Sequence, residues 1–325
     1  MEKNNGQAAT IHGNFISYDL RPGKQSERRI LMDLLRLAGD GGLNISSYRY
    51  LGMGANRFYD FLLLHKYLGI SNMVSLEHDP VMHRRAVFNC PYTFIAPLGT
   101  DTTTYLGADN SEDPTVVWFD YDSGLSLGVT QDIATLGTKL KLNDFCFVTV
   151  YGGPPRVIDN ANDADRLVWL QDTFGPLAGS VDIADAQKAE FPSAVHKVLL
   201  AAVRNAFAQR RDGRFFPFLQ IEYADSKPMV TVGGALMPEG QIIALRQRIR
   251  AAMPFLMSST DPKFYEIKSL HLTERERALF DRATTSPSKR SAERNQIRRL
   301  GFRDAEVSAY KDLLRYFPRY VEAMI

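Results

Sequence analysis

Short apolar runs and longer stretches with an apolar stripe alternate through most of this chain. Tyr48 to Leu51 is apolar and aromatic, and Gly52-Met53-Gly54-Ala55-Asn56 is a turn of small residues. Arg57 to Leu68 carries Phe58, Phe61, Leu62, Leu64 and Leu68 on one face. That spacing predicts strand, turn and amphipathic helix, with Gly69 as the helix C-cap. Met73 to Leu76 reads as a second buried strand, closed by Glu77. The unit is a βαβ crossover, which places a nucleoside-containing ligand over its first turn.

The alternation continues. Pro80 to Phe88 reads as a helix, Tyr92 to Leu98 as a third strand and Thr115 to Phe119 as a fourth. Thr130 to Leu140 follows as a helix and Asp144 to Tyr151 as a fifth strand. The last is almost wholly apolar, as a parallel strand covered on both faces must be. Residues 162–210 are helical in outline. Phe215 to Tyr223 and Met229 to Leu236 are β-runs joined by Ala224-Asp225-Ser226-Lys227-Pro228, a hairpin. Residues 240–257 form one more helix. Upstream, residues 14–24 read as an extended arm. Ser26 to Leu37 reads as a helix with Ser26 as N-cap and Ile30, Leu31, Leu34, Leu35 and Leu37 inward. The expected division is an arm and capping helix (1–44), an α/β domain (45–257) and a helical extension (258–325).

Composition narrows the classes. Hydrophobic residues make up 45% of the 325, enough for a sizeable core, and the net charge of +2 does not by itself point to nucleic acid. Cys90 and Cys146 are the two cysteines, with no CxxC or Cys/His cluster, so neither structural zinc nor a disulfide framework is expected. That suits a reducing cytoplasm. No apolar secretory core opens the chain and no run is long enough to span a membrane. The extension is locally basic, with 14 Lys and Arg against 10 Asp and Glu, a net of +4. Lys289, Arg290, Arg294, Arg298 and Arg299 could neutralise phosphates of a nucleic acid. An ordinary solvated helical face is the other reading, since acids are interspersed. Thr273 and Glu276 have capping-box spacing. The closing run AYKDLLRYFPRYVEAMI is apolar on one face and is expected to dock on the core or on a partner.

A glycine turn in a βαβ unit admits a dinucleotide, ATP or S-adenosylmethionine. GxxxxGK[ST] is absent, which removes the ATP loop, and Arg57 stands where a dinucleotide fingerprint needs its third glycine. S-adenosylmethionine carries no phosphate. It needs a turn beside its amino-acid part and a carboxylate for its ribose, here Gly52, Gly54 and Glu77. The five alternating units ending in a hairpin agree with this choice.

With these features, residues 45–237 resemble the class I S-adenosylmethionine-dependent methyltransferases. The resemblance implies a Rossmann-like α/β fold, a mostly parallel sheet of seven strands with a terminal antiparallel hairpin. Gly52-Met53-Gly54 matches the first motif, with Asn56 in the same cofactor turn, and Glu77 the ribose acid; Asp79 is its nearest competitor. Gly99-Thr100-Asp101 falls at the adenine position, although an exposed Asp in a Thr-rich loop is the other reading. Asp120-Tyr121-Asp122 falls where such enzymes place catalytic or substrate-positioning residues. Its alternative is a cap for the next helix, and one intervening residue could turn the two carboxylates to opposite sides. Tyr50 departs from the family, which often places an acid there. The run Asp120-Tyr121-Asp122-Ser123 also lacks the proline motifs of amino- and C5-methylating DNA enzymes.

The segment Arg21-Pro22-Gly23-Lys24-Gln25-Ser26-Glu27-Arg28, an RPxKxxER pattern ahead of a YLGMG turn, resembles a bacterial methyltransferase-like group of unassigned substrate. Ahead of the first strand, it can fold over the carboxyl edge of the sheet. Arg21 and Lys24 could then bind an anionic substrate, with Glu27 orienting one of them. Tyr151, before Gly152-Gly153-Pro154-Pro155, lies on the same edge. Asp120, Asp122 and Lys24 are thus the catalytic candidates, and Arg21 and Tyr151 the substrate-binding ones. The expected reaction is methyl transfer to a heteroatom, without a metal ligand set. The alternative is a non-catalytic module that binds protein or nucleic acid.

Overall fold

The computed structural model describes residues 21–259, 261–270, 272–285 and 290–317, Arg290 by its backbone alone. Its centre is a sheet built from β1 (Arg49–Gly52), β2 (Asn72–Leu76), β3 (Ile95–Leu98), β4 (Thr115–Gly124), β5 (Phe145–Tyr151), β6 (Arg214–Ala224), β7 (Pro228–Met237) and β8 (Tyr265–Ile267). The spatial order is β3-β2-β1-β4-β5-β7-β6-β8. The first five strands are mutually parallel, and β7 runs against both β5 and β6. This is the Rossmann-like methyltransferase arrangement expected from the alternation and the hairpin. The strand count is eight rather than seven. β8 adds parallel to β6 through three residue pairs, Ile221 to Tyr223 against Tyr265 to Ile267.

Helices cover both faces. They are α1 (Pro22–Gly39), α2 (Tyr59–Leu68), α3 (Pro80–Asn89), α4 (Thr102–Ala108), α5 (Leu127–Lys139), α6 (Asp163–Phe174), α7 (Phe191–Ala206) and α8 (Glu239–Ala252). The extension adds α9 (Glu274–Thr285), α10 (Arg290–Arg299) and α11 (Asp304–Leu313). One apolar cluster joins α1, α2, α8 and α9 to α11 to the Tyr50, Trp118, Phe145 and Phe147 face of the sheet. The other joins α5, α6 and α7 to the Leu51, Val117, Phe119 and Val148 face. Alternation along β4 therefore sends Trp118 toward α1 and Phe119 toward α5.

Several local expectations need correction. The helix assigned to Ser26–Leu37 begins at Pro22, and Ser26 is fully buried inside it, its hydroxyl donating to the Pro22 carbonyl at 2.8 Å. The N-terminus is capped from far away. Asp225, on the β6–β7 turn, accepts the Gly23 and Lys24 amides at 2.8 and 3.0 Å. Gly23 is needed for this approach, since a Cβ there would lie 3.0 Å from Asp225 Oδ1 and from the Tyr223 ring. Residues 14–20 of the arm lie outside the described residues. The third strand is only Ile95–Leu98, and β4 runs on through Asp120-Tyr121-Asp122 instead of ending before them. Gly69 does end α2 in the left-handed conformation, and Thr273 with Glu276 forms the expected cap of α9.

Candidate active site

β1, β2, β4 and β5 all end on one edge of the sheet, and the antiparallel sense of β7 returns the β6–β7 turn to the same edge. The glycine turn lies there. Gly54 donates its amide to Ser75 Oγ at 2.9 Å, and a Cβ on it would lie 2.7 Å from both that oxygen and the Phe58 ring. Ala55 and Phe58 take φ of 44° and 54°, a left-handed strain that non-glycine residues adopt mainly where the chain is forced. Asn56 leaves Oδ1 buried without a hydrogen-bond partner. Such an acceptor costs free energy until something donates to it.

Glu77 follows β2 directly. One of its carboxylate oxygens accepts the Asp79 amide at 3.0 Å, and its side chain is mostly covered. Asp79 is spent on α3, accepting the Val81 and Met82 amides at 2.8 Å each. Those bonds, the Met82 amide foremost, hold its carboxyl below the usual range. Glu77 is thereby the better placed of the two acids. Asp101 is the N-cap of α4, accepting the Thr104 amide at 2.7 Å and the Thr104 hydroxyl at 2.8 Å. A helix cap is its structural role.

The α1 face of this edge holds a charge cluster. Lys24 is 3% exposed, and its ammonium lies 2.6 Å from Glu27 Oε2 and 2.7 Å from Asp120 Oδ2. These are contacts of touching charges rather than aligned hydrogen bonds. The ammonium also sits 4.6 Å above the Trp118 ring. Burial works to strip Lys24 of its proton, but Asp120 and Glu27 outweigh it and hold the group above the usual lysine value. Asp120 keeps 22% of its side chain exposed, so it joins the buried pair to the open edge. Asp122 lies on the same side, near Asp120, Lys24 and Arg21. The two carboxylates therefore stay on one side, although the ladder to β5 shifts register between Asp120 and Gly124. Crowding by protein, then the Asp120 charge, raises the Asp122 carboxyl, although its residue surface is exposed.

Tyr50, at the position where the resemblance puts an acid, is fully buried with its hydroxyl against Gly52, and its ring meets Phe61 edge-on at 4.7 Å. A carboxylate nevertheless reaches this corner from α2. Asp60 is buried there and takes the Arg28 Nε of α1 at 2.5 Å. Arg28 and Asp60 were not singled out together by sequence, because 32 residues separate them. Tyr151 ends β5 half-buried, with the Lys227 ammonium of the hairpin turn 5.9 Å from its ring centre.

The opposite face of β4 carries a second buried carboxylate. Asp132 of α5 accepts hydroxyl protons from Thr102, Thr103 and Tyr121 at 2.5, 2.6 and 2.7 Å. It ties the start of α4 to the end of β4. A hollow of about 170 Å³ lies at the far edge, lined by Arg49, Asp109, Lys141 and Asp144. Its charges are already spent, Arg49 on Asp109 at 2.7 Å and Lys141 on Glu112 at 2.6 Å. Of the basic residues in the extension, Lys289 and the Arg290 side chain lie outside the described residues. Arg298 is paired with Asp304 at 2.6 Å, and Arg299 is exposed. Among the described residues no helix is long and apolar enough to cross a membrane, and no cluster of His, Cys, Asp and Glu is arranged to hold a metal ion.

Solved structures similar to this one include the fibrillarin/Nop5p complex, at 11% identity over 66% of this chain and 83% of that chain, TM-score 0.39. The plantazolicin methyltransferase BpumL in complex with SAH is 8% identical over 65% and 85%, TM-score 0.40. The N-methyltransferase NodS from Bradyrhizobium japonicum WM9, also with S-adenosyl-L-homocysteine, is 12% identical over 67% and 90%, TM-score 0.37. No protein of curated function matches the chain in sequence. A family model described as "Putative O-methyltransferase" matches residues 16–325, and the chain belongs to that methyltransferase family.

Proposed function

We propose that the protein transfers the methyl group of S-adenosylmethionine to a hydroxyl oxygen of an acceptor, with Asp120 as general base. The observation that carries this reading is Asp120 itself, a carboxylate at the open strand edge anchored from below by a buried ammonium at 2.7 Å. The residues fit the cofactor. Gly54 leaves no room for a side chain, Asn56 holds an orphaned acceptor, and Glu77 is the acid not consumed by a helix cap. Asn56 Oδ1 would accept a hydrogen bond from the amino group of the amino-acid part, and Glu77 would accept those of the ribose hydroxyls. The bound cofactor supplies a methyl group already activated by its sulfonium.

The chain's own part is to align the acceptor, exclude water and remove one proton. Asp120 would take the proton lost by the acceptor O–H as that oxygen bonds to the methyl carbon, and the breaking methyl–sulfur bond would leave a neutral thioether. Lys24 holds Asp120 in place for that step. Tyr151, with the Lys227 ammonium 5.9 Å from its ring centre, and Arg21 at the start of α1 are the residues we propose to receive the acceptor. We assign the cofactor site to residues 45–257, its cover to α1 and a supporting extension to α9, α10 and α11. The free cysteines fit a reducing cytoplasm.

Methyl-labelled S-adenosylmethionine incubated with a panel of phenolic and alcoholic acceptors tests the reading. Label should appear on an oxygen acceptor with the wild type. Asp120→Asn should lower the rate roughly 10²- to 10⁴-fold, the usual share of a general base, while S-adenosylhomocysteine binding persists. Transfer undiminished in Asp120→Asn would remove the base from the scheme. The rival reading, a non-catalytic module gripping nucleic acid through Arg294, Arg298 and Arg299 of α10, predicts salt-dependent nucleic-acid binding and no cofactor binding.

A further inference from the structure

Glu27 is fully buried, yet no step of the proposed reaction uses it. Its surroundings orient its hydrogen bonds in one direction. The Trp118 indole can only donate, and it donates to Thr149 Oγ1 at 3.0 Å. Thr149 then has one proton to offer, to Thr231 Oγ1 at 2.8 Å or to Glu27 Oε1 at 3.2 Å. Thr231 donates to Glu27 Oε1. The chain starts on β4, crosses β5 and β7 through the register pair Thr149 and Thr231, and ends on α1. Glu27 Oε2 faces the Lys24 ammonium, which also can only donate. The indole and the ammonium can only donate and the two hydroxyls are able to, so the cage suits the carboxylate. Burial first, and the Asp120 charge with it, hold the Glu27 carboxyl above its usual range, against the pull of Lys24 and Thr231.

Lys24 is divided between two acids, 2.6 Å from Glu27 Oε2 and 2.7 Å from Asp120 Oδ2. We propose that Glu27 is a positioning residue that sets the basicity of Asp120 by competing with it for Lys24. The proposal rests on the reading of Asp120 as the base. An Asp120 that owned the whole lysine charge would hold a proton too weakly to serve well, because a base must match the proton it removes. Sharing the ammonium, and adding a second negative charge beside it, returns proton affinity to Asp120.

The other groups around the triangle are Arg28, held by Asp60 at 2.5 Å, Asp122 farther along β4, and Arg21 at the start of α1. The hydroxyls of Tyr50 and Tyr223 also face it. Burial foremost, then nearby carboxylates, keeps both tyrosines neutral. None of these groups changes in the variants below.

The test is the titration of the Asp120 carboxyl carbon by ¹³C NMR in full-length, ligand-free protein labelled at aspartate side chains, assigned with Asp120→Asn. In Glu27→Gln the Asp120 midpoint should fall by roughly one pH unit, about a tenfold change in its acid constant. In Thr231→Val, where Glu27 loses the donor that steadies its charge, the midpoint should fall by less. A midpoint unmoved or raised in both folded variants overturns the proposal. The readout needs no cofactor and no turnover, so the two readings fail separately. An unmoved midpoint with intact S-adenosylhomocysteine binding removes the role of Glu27 alone, whereas absent binding removes the function and leaves the titration result standing.

Discussion

The two faces of β4 hold buried carboxylates at the same strand edge, and they are kept there by different chemistry. On the α5 face Asp132 is caged by three neutral hydroxyls within 2.7 Å. On the α1 face Glu27 shares the Lys24 ammonium with Asp120, and Asp120 opens to solvent. A hydroxyl cage fixes geometry, because its donors keep their protons over the working range. A carboxylate–lysine–carboxylate cluster fixes geometry too, but its charges respond to one another and to whatever binds at the edge. The contrast separates a brace for the loop at the start of α4 from a cluster able to take part in proton transfer.

Three changes would break or sharpen this comparison. The largest effect is expected from Lys24→Met, which leaves Glu27 buried without its cation. Removing one partner of a buried pair costs about 3–5 kcal/mol, to be read from urea unfolding midpoints. A loss under 1 kcal/mol would mean that the acids are not ionised in the folded state. Asp132→Asn should cost less, about 1–3 kcal/mol, since three hydroxyls lose a charged acceptor but keep a neutral one. It should leave the Asp120 titration where it is. An Asp120 shift as large as that of Glu27→Gln would show that the two faces are coupled.

The smallest effect concerns an acid supported in neither way. Glu222 on β6 is half-buried, lies beside Glu266 in the β6–β8 register and near Glu190, and its carboxyl is held up at about 7 by burial first and these acids second. A carboxyl raised in the folded state favours the protein in its protonated form. That contribution is present at pH 4 and is lost as pH rises toward 7. Stability measured by urea unfolding should therefore decline across this window, and Glu222→Gln should flatten the decline. An unchanged slope would remove Glu222 as its source.

The βαβ unit, the glycine turn, the acid at the end of the second strand and the terminal hairpin were all legible, because each is written in local periodicity and turn residues. The start of α1 was not. Its cap is Asp225, 202 residues from Gly23, so Ser26 looked like the nearest capping residue. The three-residue β8 has no period of its own and exists by pairing with β6. Thr149 and Thr231 looked like ordinary strand residues, and only their register across β5 and β7 makes them donors to Glu27. Asp101 stood out by its place after β3, and only the fold shows that its carboxylate also caps α4 through Thr104. Lys24 and Asp120 were each visible as candidates. The burial that joins them depends on where α1 docks.

Calorimetric titration of the wild type and Glu77→Ala with S-adenosylhomocysteine tests the central claim most directly. The wild type should bind, and Glu77→Ala should lose about 1–3 kcal/mol, roughly five- to 150-fold in affinity, through its charged hydrogen bonds. A folded wild type that shows no binding at millimolar ligand, or a Glu77→Ala that binds as tightly as the wild type, would contradict the account.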